Sequence, residues 1–124
     1  MIKFTINVIP VTKKNSQRIV INKKTGRPMI LPSANYAQYE KDARWFIPNV
    51  ETIEGPVNVK AVFYMPTRRR VDLVNLEEAL LDVLVKYKVL ADDNNLVVHS
   101  MDGSYVDYDK DSPRTEVYIW PISK

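Results

Sequence analysis

The chain has 124 residues, a length that suits one hydrophobic core, so we expect a single domain over residues 1–124. Its 18 Lys and Arg residues exceed its 15 Asp and Glu residues, and the resulting net charge of +3 is compatible with a polyanionic partner. The absence of cysteine excludes disulfides, thiolate metal sites and a cysteine nucleophile. The opening residues contain no long apolar run, so we expect no signal peptide and no membrane span, and we expect a cytoplasmic protein.

The first half of the sequence predicts a strand, a hairpin and a helix. Residues 2–8 alternate apolar and polar side chains, as a half-buried strand does. Two short apolar runs around Gly26 predict a hairpin with a lysine-rich turn. A helix is expected from Ser33, which can cap it, to about Phe46, because Pro48 follows. The helical spacing of its aromatic residues favours core packing over stacking on unpaired bases; they are Tyr36, Tyr39 and Trp45.

The second half predicts a strand, a long helix and several short strands. Residues 57–65 alternate as in a strand and lead into a basic loop. From Leu73 onward apolar residues recur every three or four positions, as on one face of an amphipathic helix, and Asp72 can cap its start. After the helix-breaking segment ADDNN, strand-like segments run to residue 122. The order of elements predicts an α/β (α+β) fold with a mixed sheet and two main helices.

Four aspartates between the last strand-like segments are assigned to a polar hairpin: Asp102, Asp107, Asp109 and Asp111. Turn chemistry explains residues of this kind. Asp102 is a further candidate metal ligand.

The stretch from residue 68 to residue 93 combines residue types that suit phosphodiester chemistry. Its basic loop holds three consecutive arginines: Arg68, Arg69 and Arg70. Guanidinium groups match phosphate oxygens and stay charged. Asp72 and Asn75 follow at the helix start, and Asp92 and Asp93 come after the helix end. Carboxylates are the oxygen ligands that Mg²⁺ prefers, so the grouping predicts metal-assisted hydrolysis, with Mn²⁺ as a substitute ion.

Each of these features also has an ordinary structural explanation. Asp72 by itself is a typical N-cap, and Asp92 with Asp93 suits a polar turn. A run of arginines is usually a solvated surface. Their occurrence together in one short stretch favours the functional interpretation over the separate structural ones.

The segments MPTRRRVDLVNLEEALLDVL and VLADDNNLV resemble the RusA-type Holliday-junction resolvases. The signature of that family joins a basic run, an Asp-Leu-Asp-Asn-Leu helix start and a later Asp-Asp pair. The stretch PVTKKNSQ is similar to the family's opening segment. The resemblance implies a RusA-like fold and a dimeric, Mg²⁺-dependent endodeoxyribonuclease. Such an enzyme binds four-way junctions in DNA recombination and repair, introduces paired nicks and is often encoded by phages or prophages.

The resemblance also assigns roles by position. The family's first aspartate is Asp72, its helix-start asparagine is Asn75, and its aspartate pair is Asp92 and Asp93, of which Asp93 matches the essential member. The implied metal ligands are therefore Asp72, Asp92 and Asp93.

Two positions depart from the family pattern. The second aspartate of the helix start is Val74, which cannot bind a metal, and a usual lysine is Glu78. Since positions four apart share a helix face, Glu78 can return a carboxylate near Val74. Two alternatives therefore stay open beside the nuclease: a catalytically impaired homodimer that binds branched DNA, and a structural or regulatory homodimer without preference for branched DNA.

The length of the second helix constrains the site. A straight helix over residues 73–88 separates its ends by about 22 Å, so Asp72 and Asp93 of one chain are not expected to meet. We expect a two-fold homodimer that brings Asp72 of one subunit near Asp92 and Asp93 of the other. Three residues after the first strand are expected to join the arginines on the DNA backbone, although exposed lysines without function are equally common: Lys13, Lys14 and Asn15.

Overall fold

The computed structural model describes residues 1–13, 18–31 and 34–122. The elements within them are β1 (Ile2–Ile6), β2 (Arg18–Ile21), β3 (Pro28–Leu31), α1 (Ala34–Ala43), a 3-10 helix (Arg44–Phe46), β4 (Val57–Met65), α2 (Leu73–Lys86), β5 (Val98–Ser100), β6 (Tyr105–Tyr108) and β7 (Arg114–Pro121). This order confirms the predicted α+β fold with two main helices. The expected helix cap, Ser33, lies outside the described residues.

The main sheet is mixed, as the sequence predicts. Its strand order is β1-β7-β4-β5, and β6 also pairs with β4. The β1–β7 and β7–β4 pairs are antiparallel, whereas β5 and β6 both run parallel to β4. A separate antiparallel pair, β2–β3, forms the predicted hairpin. Gly26 adopts a positive φ of 70° in its turn, a conformation that glycine reaches without steric cost.

The core lies between one face of the main sheet and the two helices. Along β7 the buried residues alternate with half-buried ones, so Val117 and Ile119 face the core. On α2 the buried residues recur with helical spacing, and they include Leu76, Leu80 and Leu84 from the predicted stripe. Complete burial of such a side chain stabilises the fold by about 1.5–3 kcal/mol. This packing fixes α2, and therefore the candidate residues at both of its ends, against the sheet.

The segment from β5 to β6 is not a hairpin, so that prediction is wrong. Both short strands pair with the same edge of β4, one near each of its ends. The buried side chain of Asn58 accepts hydrogen bonds from Ser100 Oγ (2.6 Å) and the Asp102 amide (2.8 Å). The Ala61 amide then donates to Ser104 Oγ at 3.0 Å. These hydrogen bonds to β4 take the place of pairing between β5 and β6, so the chain continues along β4 instead of turning back.

The aromatic residues around α1 divide into two groups. Tyr36 and Tyr39 are buried, which confirms their prediction as core residues. The prediction is wrong for Trp45, which is 82% exposed: it follows Tyr39 by six positions and Tyr36 by nine, spacings that do not share a helix face. Of the helices in the described residues, none has the length and apolar character needed to cross a bilayer.

Candidate functional site

Asp72 lies at the start of α2 and caps it. Its Oδ1 accepts a hydrogen bond from the Val74 amide at 3.0 Å, and its carbonyl accepts from the Leu76 amide at 3.2 Å. The carboxylate therefore satisfies a backbone donor that the helix leaves free. The side chain stays exposed and Asn75 is half-buried in the same turn, so the N-cap role leaves the second carboxylate oxygen accessible from solvent.

Asp92 and Asp93 occupy an exposed turn between α2 and β5. Asp92 accepts hydrogen bonds from the Asp93 amide (2.7 Å) and from Asn94 Nδ2 (3.2 Å). Asn94 in turn accepts from the Leu96 amide at 3.0 Å. The polar-turn interpretation therefore accounts for the shape of this segment, and it leaves the Asp93 carboxylate to face elsewhere.

Asp93 faces the exposed side of α2. An open cavity of about 290 Å³ is lined by Val74, Glu77, Glu78, Leu81, Asp93 and Met101. The four α2 residues have the spacing i, i+3, i+4 and i+7, which defines one stripe on a helix. We call this place the acidic cavity. It brings Asp93 beside both of the positions at which the chain departs from the family pattern, Val74 and Glu78. Because Val74 is two residues after Asp72, the expectation that the length of α2 separates Asp72 from Asp93 is wrong.

Burial changes the proton affinity of two carboxyl groups in the acidic cavity. The pKa of Asp93 is raised, first by partial burial and then by the hydrogen bond and negative charge of Asp92. Burial alone raises the pKa of Glu77. Each group thus holds its proton more tightly than an exposed carboxyl, so a cation that enters the cavity would relieve a local excess of negative charge.

Asp72 and Asp93 do not combine into a three-ligand metal site within one chain. Among residues 1–13, 18–31 and 34–122, no three His, Cys, Asp or Glu side chains come together in a way that could hold a metal ion. The assignment of Asp72, Asp92 and Asp93 as ligands stays a prediction. Mg²⁺ usually keeps several waters and takes one or two carboxylates plus substrate phosphates, so the paired acids of this chain fit that ion without a complete protein cage.

The arginine loop packs against the end of β6. The guanidinium of Arg68 lies over the Tyr108 ring, 4.3 Å from its centroid. Arg68 and Arg69 line an open cavity of about 230 Å³ together with Asp107. All three arginines are exposed, which leaves their donors free to reach an anion such as a phosphate.

Lys13 is held by α2. Its Nζ binds Asp82 Oδ2 at 2.9 Å and lies 5.6 Å from the centroid of the Tyr36 ring. The hydrogen bond with Asp82 raises the pKa of Lys13, and partial burial acts in the opposite direction. Contact of Lys13 with DNA stays a prediction. Lys14 and Asn15 lie outside the described residues.

The sequence interpretation missed Glu77 and the ion pair between Lys13 and Asp82. Glu77 was detectable, because it shares the stripe of Val74, Glu78 and Leu81 at helical spacing. The ion pair joins residues 69 positions apart. No local pattern signals a contact of that range.

Comparison with known families gives a match over most of the chain. The family model described as endodeoxyribonuclease RusA matches residues 8–120, which is nearly the whole chain. No curated protein matches the chain. The family match includes the arginine loop, both ends of α2 and the Asp92–Asp93 turn.

Proposed function

The chain belongs to the RusA family of endodeoxyribonucleases, and we propose that it is a Mg²⁺-dependent enzyme that resolves four-way DNA junctions by paired nicks. Nucleases of this family act on Holliday junctions and generally depend on a divalent metal ion. Mn²⁺ is proposed as a substitute ion.

The observation that carries this proposal is the position of Asp93 in the acidic cavity. The cavity is open to solvent and joins the turn after α2 to the exposed side of that helix. The pKa of Asp93 is raised there, first by desolvation and then by the hydrogen bond and negative charge of Asp92. A divalent cation and a DNA phosphate together supply the missing positive charge and oxygen ligands.

Each group of residues has a distinct role in the proposed reaction. Asp72, Asp92 and Asp93 hold the metal ion, and Glu78 is an additional acid. When bound, Mg²⁺ polarises the phosphoryl oxygen and readies a water molecule for attack. The loop from Arg68 to Arg70 binds the phosphates beside the scissile bond.

The proposed enzyme acts as a homodimer. Asp93 lines the acidic cavity together with Val74, which is two residues after Asp72, so both aspartates of one chain belong to the same side of α2. We propose that the protein is a two-fold homodimer in which each subunit supplies one acidic cavity together with the Asp72 near it. Two equivalent sites then match the approximate two-fold symmetry of a four-way junction, and each site cuts one strand.

The test is cleavage of a labelled, immobile four-way junction by the purified protein with and without Mg²⁺, beside a linear duplex. We expect paired nicks in the junction alone. Asp93→Asn should abolish cutting and retain junction binding, since it removes a charge without changing size. The matched control is Asp111→Asn, an exposed aspartate in the turn before β7, which should cut as the wild type does. Cutting by Asp93→Asn at the wild-type rate would show that the site is misassigned.

A second candidate function is junction binding without cutting. Val74 favours it, because this side chain is 66% exposed in the acidic cavity and offers no ligand where the family has an aspartate. Mg²⁺ binding separates the two functions. Isothermal titration of the protein–junction complex with Mg²⁺, corrected by the same titration of the junction alone, should show uptake by the protein for the nuclease and none for the inactive binder.

A further inference from the structure

Trp45 is exposed on a second surface of the molecule, away from the acidic cavity. An indole that is 82% exposed leaves a large apolar ring in water, and burial of such rings dominates many interfaces. The ring projects from the 3-10 turn that extends α1. Core packing of the fold therefore does not explain this residue.

Two cations flank the indole. Arg44 precedes it directly, and Lys41 lies four residues earlier, one turn away on the same helical surface. Both side chains are exposed. Within the part of the chain that the structure describes, the salt bridges include neither Lys41 nor Arg44. The cluster therefore presents an aromatic ring beside two positive charges that form no close ion pair with a carboxylate of the described residues.

A groove adjoins this cluster. An open cavity of about 370 Å³ lies between α1 and the segment after β1, and it is lined by Val8, Ile9, Val11, Asn35, Gln38, Tyr39 and Asp42. Trp45 continues the stripe of Gln38 and Asp42 on the helix surface. Asp42, which accepts a hydrogen bond from Gln38, would repel a phosphate inside the groove. The groove therefore suits an uncharged flat group. The two cations outside the groove suit phosphates that are attached to such a group.

We propose that Trp45 stacks on an unpaired nucleobase of branched DNA while Lys41 and Arg44 bind the adjoining phosphates, an inference that rests on the proposed function. Aromatic rings beside cations are the usual means of holding unstacked nucleotides. Charge argues against a second copy of the chain as the occupant. A two-fold contact through Trp45 would set Lys41 and Arg44 of one subunit against the same residues of the other.

This surface enlarges the DNA footprint beyond the acidic cavity. Tyr87 Oη donates to the Glu40 carbonyl at 2.9 Å, so the last part of α1 lies beside the C-terminal end of α2. Asp72 lies at the other end of α2, about 20 Å away. The nucleotide held by Trp45 is therefore separate from any phosphate bound at the start of α2.

Fluorescence gives a direct test, because the chain has 2 tryptophans and Trp120→Phe leaves Trp45 as the only one. The protein is titrated in EDTA with a four-way junction that carries one unpaired thymine at the branch, with a fully paired junction and with a linear duplex. We expect strong quenching by the first, weaker quenching by the second and little by the third. Quenching that is equal for all three would overturn the proposal.

Affinity measurements complete the test. Trp45→Ala should weaken binding of the unpaired-base junction about 10-fold, whereas Trp45→Phe keeps most of the affinity, since stacking is worth roughly 1–3 kcal/mol per base. The matched control is Tyr105→Ala, another exposed aromatic at 45% exposure, which should change affinity less than two-fold. Lys41→Gln and Arg44→Gln should each reduce the slope of log affinity against log salt by about 0.7.

The outcomes also separate this proposal from the proposed function. If the wild-type protein binds and cuts junctions and Trp45→Ala does the same with equal affinity, only the role of Trp45 is wrong. If the wild-type protein binds no branched DNA, the proposed function fails first. Trp45 emission that changes with protein concentration in the absence of DNA, together with unchanged DNA affinity of Trp45→Ala, would identify a second copy as the occupant and overturn the proposal.

Discussion

The two faces of α2 differ in their surroundings: the inner face packs against the sheet, and the outer face is open to solvent. The inner face carries Leu76, Leu80 and Leu84, which are at most 1% exposed against the sheet. The outer face carries Val74 and Glu78, which are exposed in the acidic cavity. Close packing constrains every atom of the inner face, whereas solvent tolerates many side chains on the outer one. The departures from the family pattern lie on the outer face, so the fold can persist while the chemistry changes.

The largest expected effect on stability comes from a substitution on the inner face. Leu80→Ala should lower the free energy of unfolding by about 2–5 kcal/mol, because it removes buried methyl groups and leaves a cavity. Urea unfolding measures the change. The comparison control is Leu81→Ala, whose half-buried side chain lines the acidic cavity and should cost much less. Equal losses for both variants would mean that the two faces are not distinct.

The next largest effect is expected from a substitution on the outer face that changes the charge of the acidic cavity. Val74→Asp restores the carboxylate of the family pattern in the acidic cavity, and we expect junction cleavage to rise about 10-fold or more, since even outer partners of metal ligands change activity 10- to 100-fold. Stability should change by less than about 0.5 kcal/mol, because the residue is exposed and an aspartate in the first helical turn suits the helix dipole.

Val74→Asn is the control for Val74→Asp, because it has a similar size and no charge. Mg²⁺ should raise the melting temperature of the aspartate variant more than that of the asparagine variant. Cleavage that is unchanged in Val74→Asp would show that the acidic cavity does not limit the reaction.

A smaller effect separates the two roles of Asp72. Asp72→Ala should lower the free energy of unfolding by about 1 kcal/mol, because the Val74 amide loses its acceptor. Asp72→Asn retains the cap and removes the charge, so thermal unfolding should stay close to the wild type while Mg²⁺-dependent cutting is lost. If Asp72→Asn cuts normally, Asp72 is a cap and nothing more.

The sequence predicts the inner face better than the outer one for a physical reason. Helical spacing identifies Leu76, Leu80 and Leu84 because burial on one side of a helix imposes a period on the chain. The pairing of β5 and β6 with the same edge of β4 was not predictable, because it depends on hydrogen bonds to the buried Asn58, which is more than 40 positions away along the chain. Contacts of that range leave no local period.

The candidate site was also predictable only in part. The roles of Asp72 and Asp93 came from a motif, and the family match bears out the motif without testing the roles. The burial of Trp45 was predicted wrongly, because the residue was grouped with Tyr36 and Tyr39 although it follows them by nine and six positions, spacings that do not share a helix face. The spacing itself therefore places the indole away from the face of α1 that buries the two tyrosines.

The smallest expected effect lies on the outer face of α2, in the ion pair between Lys13 and Asp82. The pair is about one third exposed, so it should contribute only about 0.2–1 kcal/mol. Because folding raises the pKa of Lys13, this contribution is complete below the ordinary lysine pKa of 10.5 and is lost as the pH rises through the folded value. The stability difference between wild type and Asp82→Asn, from urea midpoints at several pH values, should therefore shrink only in the alkaline range. A difference that is the same at pH 8 and well above 10.5 would mean that the two side chains do not interact electrostatically.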